Sequence, residues 1–507
     1  MRGVVERSPV AADPETSVRR TVRWIGLLAG PLAGAAVFAW LVATRFELGA
    51  AGATTAGLMA WMAIWWVTEA IDVAATALLP LAVLPLATTA AHGSASAAMS
   101  AAATPYAHPL IALFMGGFLL ALAMERWGLH RRIALTTLAF VGTRPLSVVA
   151  GFMAVTAVMS MWVSNTATTV MMLPIALSVT GLLSEGTRRR RNLALCLMLG
   201  VAYAASVGGI GTLIGTPPNL LLAGFARDQL DRDIGFAEWL LVGVPLVVVF
   251  VPIIWFMLTR VIYPLDNRPI EGGATLIRSE LAALGRMKPG EWATFIVFML
   301  TAAAWITRPL LARVTIGGTH PFAGLTDAGI AVIAALVLFV IPTDLRRRTF
   351  VLNWAWARRL PWGILILFGG GLSLAAAVST HGVADFIGRQ AVVLAPLPAW
   401  LIVMAIAAGV IFLTELTSNT ATTATLLPIL AGIAPALGLP PILLIAPAAI
   451  AASCAFMMPI ATPPNAIVFG SGHVTIPQMC RAGLWLNGIG IVLVTALAYT
   501  VILPRFG

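Results

Sequence analysis

Residues 164–175 read SNTATTVMMLPI, and residues 418–429 read SNTATTATLLPI. Nine of the twelve positions are identical, at an offset of 254. The same offset relates LFMGG at 113–117 to LFGGG at 367–371, and Gly128 to Gly382. GTPPN at 215–219 returns as ATPPN at 461–465, offset by 246. Four matches in one order make the second half of the chain a structural copy of the first.

Composition says what kind of unit is repeated. Of 507 residues, 60% are apolar and only 10% are charged, against roughly 25% charged in an ordinary soluble domain. That is too little polarity to clothe a water-facing surface, which excludes a soluble enzyme, and too apolar for a disordered chain. The apolar runs are near 20 residues long and do not alternate, so the expectation is an all-α polytopic membrane protein. Eleven stretches are expected to cross: about 24–44, 53–70, 73–88, 108–125, 193–227, 237–262, 291–312, 325–342, 361–380, 441–475 and 482–503. With the N-terminus inside, the 31 cations divide into 24 inside and seven outside (Arg45, Arg227, Arg232, Arg308, Arg313, Arg389 and Arg505). The clusters Arg131–Arg132, Arg188–Arg191, Arg346–Arg348 and Arg358–Arg359 all fall inside, as the positive-inside rule requires. The C-terminus is then external. The polar, Arg-rich residues 1–23 read as a retained cytoplasmic tail and not as a signal peptide.

The net charge of +11 is carried by loops facing an anionic leaflet, and no basic segment with interleaved aromatics suggests nucleic acid. Cys196, Cys454 and Cys480 sit in apolar runs and read as core residues. The six histidines have no metal-ligand spacing. An intramembrane protease would need a Ser–His pair or paired aspartates at midplane depth, and neither is evident; no catalytic residues, and hence no enzyme, are expected.

Two further segments, about 145–184 and 398–437, have both ends on one side. Each is expected to be a re-entrant hairpin of two short helices with Ser-Asn-Thr at its tip. An odd number of spans separates the copies, so one hairpin enters from inside and the other from outside. This is the inverted-topology plan of secondary transporters, with the substrate at the repeat interface. Backbone at a hairpin tip lacks helical partners and is tolerated only in protein or against a water-filled cavity. Ser164, Asn165 and Thr166 open one helix, and Ser418, Asn419 and Thr420 open its counterpart. Two helix N-termini with short hydroxyls, facing each other, suit a ligand with two anionic ends. Neither motif contains Arg or Lys. The paired prolines of Thr-Pro-Pro-Asn are expected to break a helix and free its carbonyls, with small residues, Gly215 and Ala461, just before them. Those carbonyls, with Ser160, Ser164 and Asn165 in one copy and Thr414, Thr417 and Asn419 in the other, make clusters of neutral oxygens suited to a monovalent cation, naturally sodium. Glu415 adjoins the second tip, where a structural partner and a proton sensor are both open readings.

At this point the chain resembles the divalent anion/sodium symporter family of di- and tricarboxylate transporters. The resemblance runs from about residue 24 to near the end. It rests on WWVTEA at 65–70, TALLP at 76–80, LFMGGF at 113–118, both Ser-Asn-Thr motifs, GIGTLIGTPPN at 209–219 and TELTSNTATT at 414–423. It departs at Asp72, where the family usually has proline.

The resemblance implies an elevator-type transporter in the cell inner (plasma) membrane, working as a homodimer. Residues 24–143 and 263–397 would form a scaffold, and 144–262 and 398–507 a moving transport domain. It implies substrate contacts at Ser164, Asn165, Thr166, Ser418, Asn419, Thr420, Thr462 and Pro463. A first sodium site would use Ser160, Ser164, Asn165 and Gly215, and a second Thr414, Thr417, Asn419 and Ala461. The expected function is sodium-coupled uptake of C4-dicarboxylates such as succinate, fumarate or malate, with sodium as coupling ion and no organic cofactor. A sodium-independent dicarboxylate exchanger, or a carrier of citrate or another divalent anion on the same fold, is the alternative.

Overall fold

The computed structural model describes residues 14–507 apart from 45–47, 185, 267 and 317. Arg2, Arg7 and Arg45, which enter the charge count above, lie outside the described residues. The first helix already begins at Pro14 and runs to Ala43, so the second part of the expected tail is helical.

Nine helices among the described residues are long and apolar enough to cross a bilayer. They match nine of the eleven expected spans. The other two are shorter: Asp327–Val340, and a stretch split into Ile442–Ala451 and Pro463–Gly470. The 193–227 stretch is split in the same way, into Arg188–Gly209 and Pro217–Leu230. The prolines do not end a helix. In both copies they occupy the first positions of the second half-helix, where the missing N–H is no loss, and the unwound residues precede them. Asp72 caps the four-residue helix Val73–Thr76, its carboxylate accepting from Ala74 N at 2.8 Å. A two-stranded hairpin, Pro342–Asp344 with Thr349–Phe350, interrupts the otherwise helical chain.

The expected hairpins are present as helix pairs: Pro145–Ser160 with Asn165–Gly181, and Ala399–Thr414 with Asn419–Ala436. Gly128 and Gly382 both adopt φ 71°, left-handed backbone that ends one helix and starts the next. Each hairpin packs on the first half of its own copy's broken helix. The returning arm also reaches across. Asn165–Gly181 packs on Pro463–Gly470, and Asn419–Ala436 on Pro217–Leu230. The two copies therefore interlock.

The glycine pairs show the same exchange at atomic scale. A Cβ on Gly116 would lie 2.6 Å from the Ala331 backbone, and one on Gly370 would collide with Ala77 O and lie 2.7 Å from its Cβ. Gly370 is Gly116 shifted by 254, and Ala331 is Ala77 shifted by 254. Close backbone approach at small residues is how helices pack where lipid supplies no hydrophobic drive. Gly370→Ala should lower the thermal midpoint of purified protein by several degrees, on the order of 1–3 kcal/mol of overpacking. Gly409→Ala, with no atom within 4 Å of the added carbon, should not. Equal midpoints for the two variants would show that the seam gives way freely.

Ion pairs agree with the threading of the loops. Arg23–Glu69, Arg131–Glu280, Arg132–Glu291 and Arg359–Glu125 each join groups assigned to the Arg-rich face. His108–Asp228 and Arg308–Asp327 join groups assigned to the other. The helix Arg188–Gly209 is buried along its whole apolar length, so the broken helices and hairpins form the centre of the molecule.

Candidate functional site

Each hairpin tip is built the same way. Ser164 Oγ accepts from Ala167 N at 3.2 Å, and Ser418 Oγ from Ala421 N at 3.5 Å, so both serines cap the returning helix. One turn before the first tip, Ser160 Oγ lies within hydrogen-bond distance of Asn165 Oδ1 and, at 2.7 Å, of Ala205 O. In the second copy, Thr414 Oγ1 lies likewise against Asn419 Oδ1 and, at 3.2 Å, Ala452 O. A hydroxyl has one proton to give and here faces two acceptors. Each cluster gathers neutral oxygens, a set of donors that suits a monovalent cation. Asn165 also packs on Gly209, where a Cβ would lie 2.7 Å from its Oδ1 and 3.1 Å from Gly215 O. Ser160, Asn165 and Gly215 thus converge at the first break.

The breaks are held open by residues that sequence reading did not single out. Asn219 Nδ2 donates to Gly209 O (3.2 Å), Ile210 O (3.3 Å) and Thr212 O (2.7 Å). Asn465 Nδ2 donates to Ala455 O (3.3 Å) and Met458 O (3.0 Å), the positions matching Gly209 and Thr212. These are the asparagines that close each Thr-Pro-Pro-Asn run, and their recurrence at offset 246 was the available signal. Their Oδ1 atoms, with Ser206 Oγ and Ser453 Oγ, are buried without a partner. The two asparagines keep the 246 offset of the motifs, and the two serines are offset by 247. Buried acceptors left open at both breaks are compatible with an ion or ordered water there.

Glu415 has no twin; Met161 stands at the matching position. Its carboxylate is 3% exposed and accepts from Phe456 N (2.7 Å), Met457 N (2.9 Å), Met458 N (2.9 Å) and Asn487 Nδ2 (2.8 Å). Three successive backbone N–H groups of the second break are thereby satisfied. The structure gives Glu415 the role of structural partner.

The remaining sequence-derived residues divide. Thr166 and Pro463 are exposed, and Ser164, Ser418 and Thr420 are partly exposed, so these polar tips are open to a ligand. Thr462 caps Pro463–Gly470 by accepting from Asn465 N at 3.3 Å. Ala461 is buried at the second break. Thr417 is not brought to the Thr414–Asn419 cluster by any hydrogen bond: its hydroxyl meets Leu413 O at 2.9 Å and Thr422 Oγ1 at 2.7 Å.

A cavity of about 460 Å³ runs down one face of the first returning helix, past Ala167, Met171, Pro174 and Ser178, to Arg131 and Glu280. It joins the first tip to the Arg-rich face. Burial pushes the His130 imidazole on its wall below its ordinary value, and Nδ1–H donates to Met124 O at 3.0 Å, so the ring adds no charge.

The family model described as "Sodium:sulfate symporter transmembrane region" matches residues 24–504. The sodium-dependent dicarboxylate transporter SdcS of Staphylococcus saprophyticus is 40% identical over 490 residues, covering 95% of this chain and 92% of the relative. The protein of the same name from Staphylococcus aureus is 41% identical, covering 94% and 91%. Among solved structures, the Alcanivorax borkumensis YdaH transporter, described as having an unusual topology, superposes with a TM-score of 0.51 at 16% identity, over 76% of this chain and 86% of that one. At that identity the likeness concerns the fold alone.

Proposed function

The chain belongs to the sodium:sulfate symporter family, and from that premise we propose that it is a secondary active transporter coupling sodium entry to uptake of a C4-dicarboxylate such as succinate, fumarate or malate. The observation that carries this reading is the doubled cluster. Two Ser-Asn-Thr tips, each beside a helix break, present neutral oxygens in surplus of protons and no fixed cation. The relatives named sodium-dependent dicarboxylate transporters support the same ion and the same class of solute.

In this reading the tips bind the two carboxylates through helix N-termini and the side chains of Ser164, Asn165, Thr166, Ser418, Asn419, Thr420, Thr462 and the Pro463 edge. Sodium binds at Ser160, Ser164, Asn165 and Gly215, and at Thr414, Thr417, Asn419 and Ala461, with Thr417 turning from Leu413 O to do so. A dianion at midplane depth is expensive, and two sodium ions neutralise it. A third would couple transport to the potential, at about 2.3 kcal/mol per net charge per 100 mV. Two facing helix ends suit an elongated dianion better than compact sulfate. Residues 144–262 and 398–507 would move as the carrier against a scaffold of 24–143 and 263–397, in a homodimer. The Arg-rich face would be cytoplasmic, so the open cavity beside the first tip is the inward path.

The test is uptake of labelled succinate by proteoliposomes. Uptake should collapse when lithium or choline replaces external sodium. Succinate counterflow that persists without any sodium would instead establish the exchanger. Unlabelled fumarate and malate should compete strongly, and sulfate weakly.

A further inference from the structure

We propose that a second, separate pocket on the Arg-rich face binds the phosphate headgroup of an anionic phospholipid. This cavity of about 410 Å³ is walled by Arg188, Arg191 and Asn192, by Tyr263, and by Gln478 and Arg481. It lies between the start of helix Arg188–Gly209, the turn after Ile262, and the start of helix Ile476–Leu497. None of its residues belongs to the hairpin tips or the breaks.

Three observations point to a phosphate. First, Arg188, Arg191 and Arg481 are exposed, and among the described residues no carboxylate lies within ion-pair distance of them. On the same face Arg23, Arg131, Arg132 and Arg359 are paired, and among the described residues Arg144, Arg346 and Arg358 have no ion pair either; what sets Arg188, Arg191 and Arg481 apart is that they line one cavity. Three unneutralised guanidinium groups around one cavity repel each other, and an anion relieves that repulsion through bidentate contacts. Second, the floor is already satisfied by protein. Asn192 Nδ2 donates to Pro264 O at 2.9 Å, and Tyr263 OH donates to Gln478 O at 2.7 Å. The guanidinium groups are thus the groups left for a ligand. Third, two long helices have their first turns in the wall of the pocket, the ends that carry positive dipole charge.

The surroundings favour a lipid over a free ion. Immediately along the helix from Arg481, Leu484 is 54% and Trp485 61% exposed, and Val261 on the neighbouring turn is 51% exposed. Large apolar side chains left bare in a membrane protein face acyl chains, and tryptophan marks the headgroup depth. A phospholipid uses both the charged mouth and this wall. A basic pocket between helices on one membrane face is the general form of such a site.

The experiment measures the thermal midpoint of the detergent-purified full chain, at one fixed sodium concentration, while phosphatidylglycerol, phosphatidylcholine or potassium phosphate is added. Phosphatidylglycerol should raise the midpoint, and the other two should not. Arg481→Gln should raise the phosphatidylglycerol concentration needed by about fivefold, and Arg188→Gln/Arg191→Gln/Arg481→Gln by about a hundredfold. Arg346→Gln/Arg347→Gln/Arg348→Gln, on the same face but elsewhere, should respond as the parent does. An unchanged response in the single and triple pocket variants overturns the site. An equal response to phosphatidylcholine, or a full response to potassium phosphate at the same sodium concentration, overturns the anionic lipid as its occupant.

Discussion

Asn165→Ala should all but abolish sodium-driven uptake, by about 100-fold at limiting sodium, while leaving folded protein. Its Oδ1 touches Ser160 Oγ, packs against Gly209 and stands near Gly215 O. The same side chain opens the helix that is proposed to face the substrate carboxylate. Alanine removes a contact to the ion and a contact to the dianion together. Contacts to charged groups are worth about 1.5–3 kcal/mol each, and one such loss alone is a factor of ten or more. Both the half-saturating sodium and the half-saturating succinate should rise. Thr166→Val is the contrast: Thr166 is exposed at the tip and outside the oxygen cluster, so succinate should suffer and sodium much less. If the sodium dependence of Asn165→Ala matches that of the parent protein, this asparagine holds no ion.

Glu415→Ala should be the most damaging single substitution to the fold near the site. Four donors converge on the carboxylate, three of them successive backbone N–H groups in an unwound stretch. Alanine leaves all four in a closed interior, and removing one partner of a buried charged network typically destabilises by about 3–5 kcal/mol. The expected result is poor recovery from the membrane and a midpoint lowered by many degrees. Glu415→Gln keeps an acceptor for one group of donors but turns an NH₂ toward the other, and should fall between. A proton sensor with no structural duty would leave all three midpoints equal and move only the pH profile.

Much of the fold was legible because the repeat supplies two views of each element. The hairpins, the breaks and the nine long spans follow from the motifs and from apolar run length. The position of the prolines was less so. Proline reads as a stop in isolation, yet Pro217 and Pro463 open helices because the chain is already unwound before them.

Of the candidate site, Ser160 meets Asn165 and Thr414 meets Asn419, each pair within its own copy, as their spacing suggests. Thr417 is spoken for by its own helix turn. Ser206 and Ser453 escaped notice because the residues after them, VGGI and CAFMM, do not resemble each other. Glu415 has no counterpart to flag it. The arginine pocket joins residues from opposite halves of the chain, which no local pattern reveals.

The crossed seam of Gly116 on Ala331 and Gly370 on Ala77 bears on biogenesis. When the first half leaves the translocon, the surface that Gly116 needs has not been synthesised. The nascent half must wait in the lipid, inserted but unclasped, until its sibling arrives. Closing the seam is thus a late event, although the first hairpin can already pack on its own copy's broken helix.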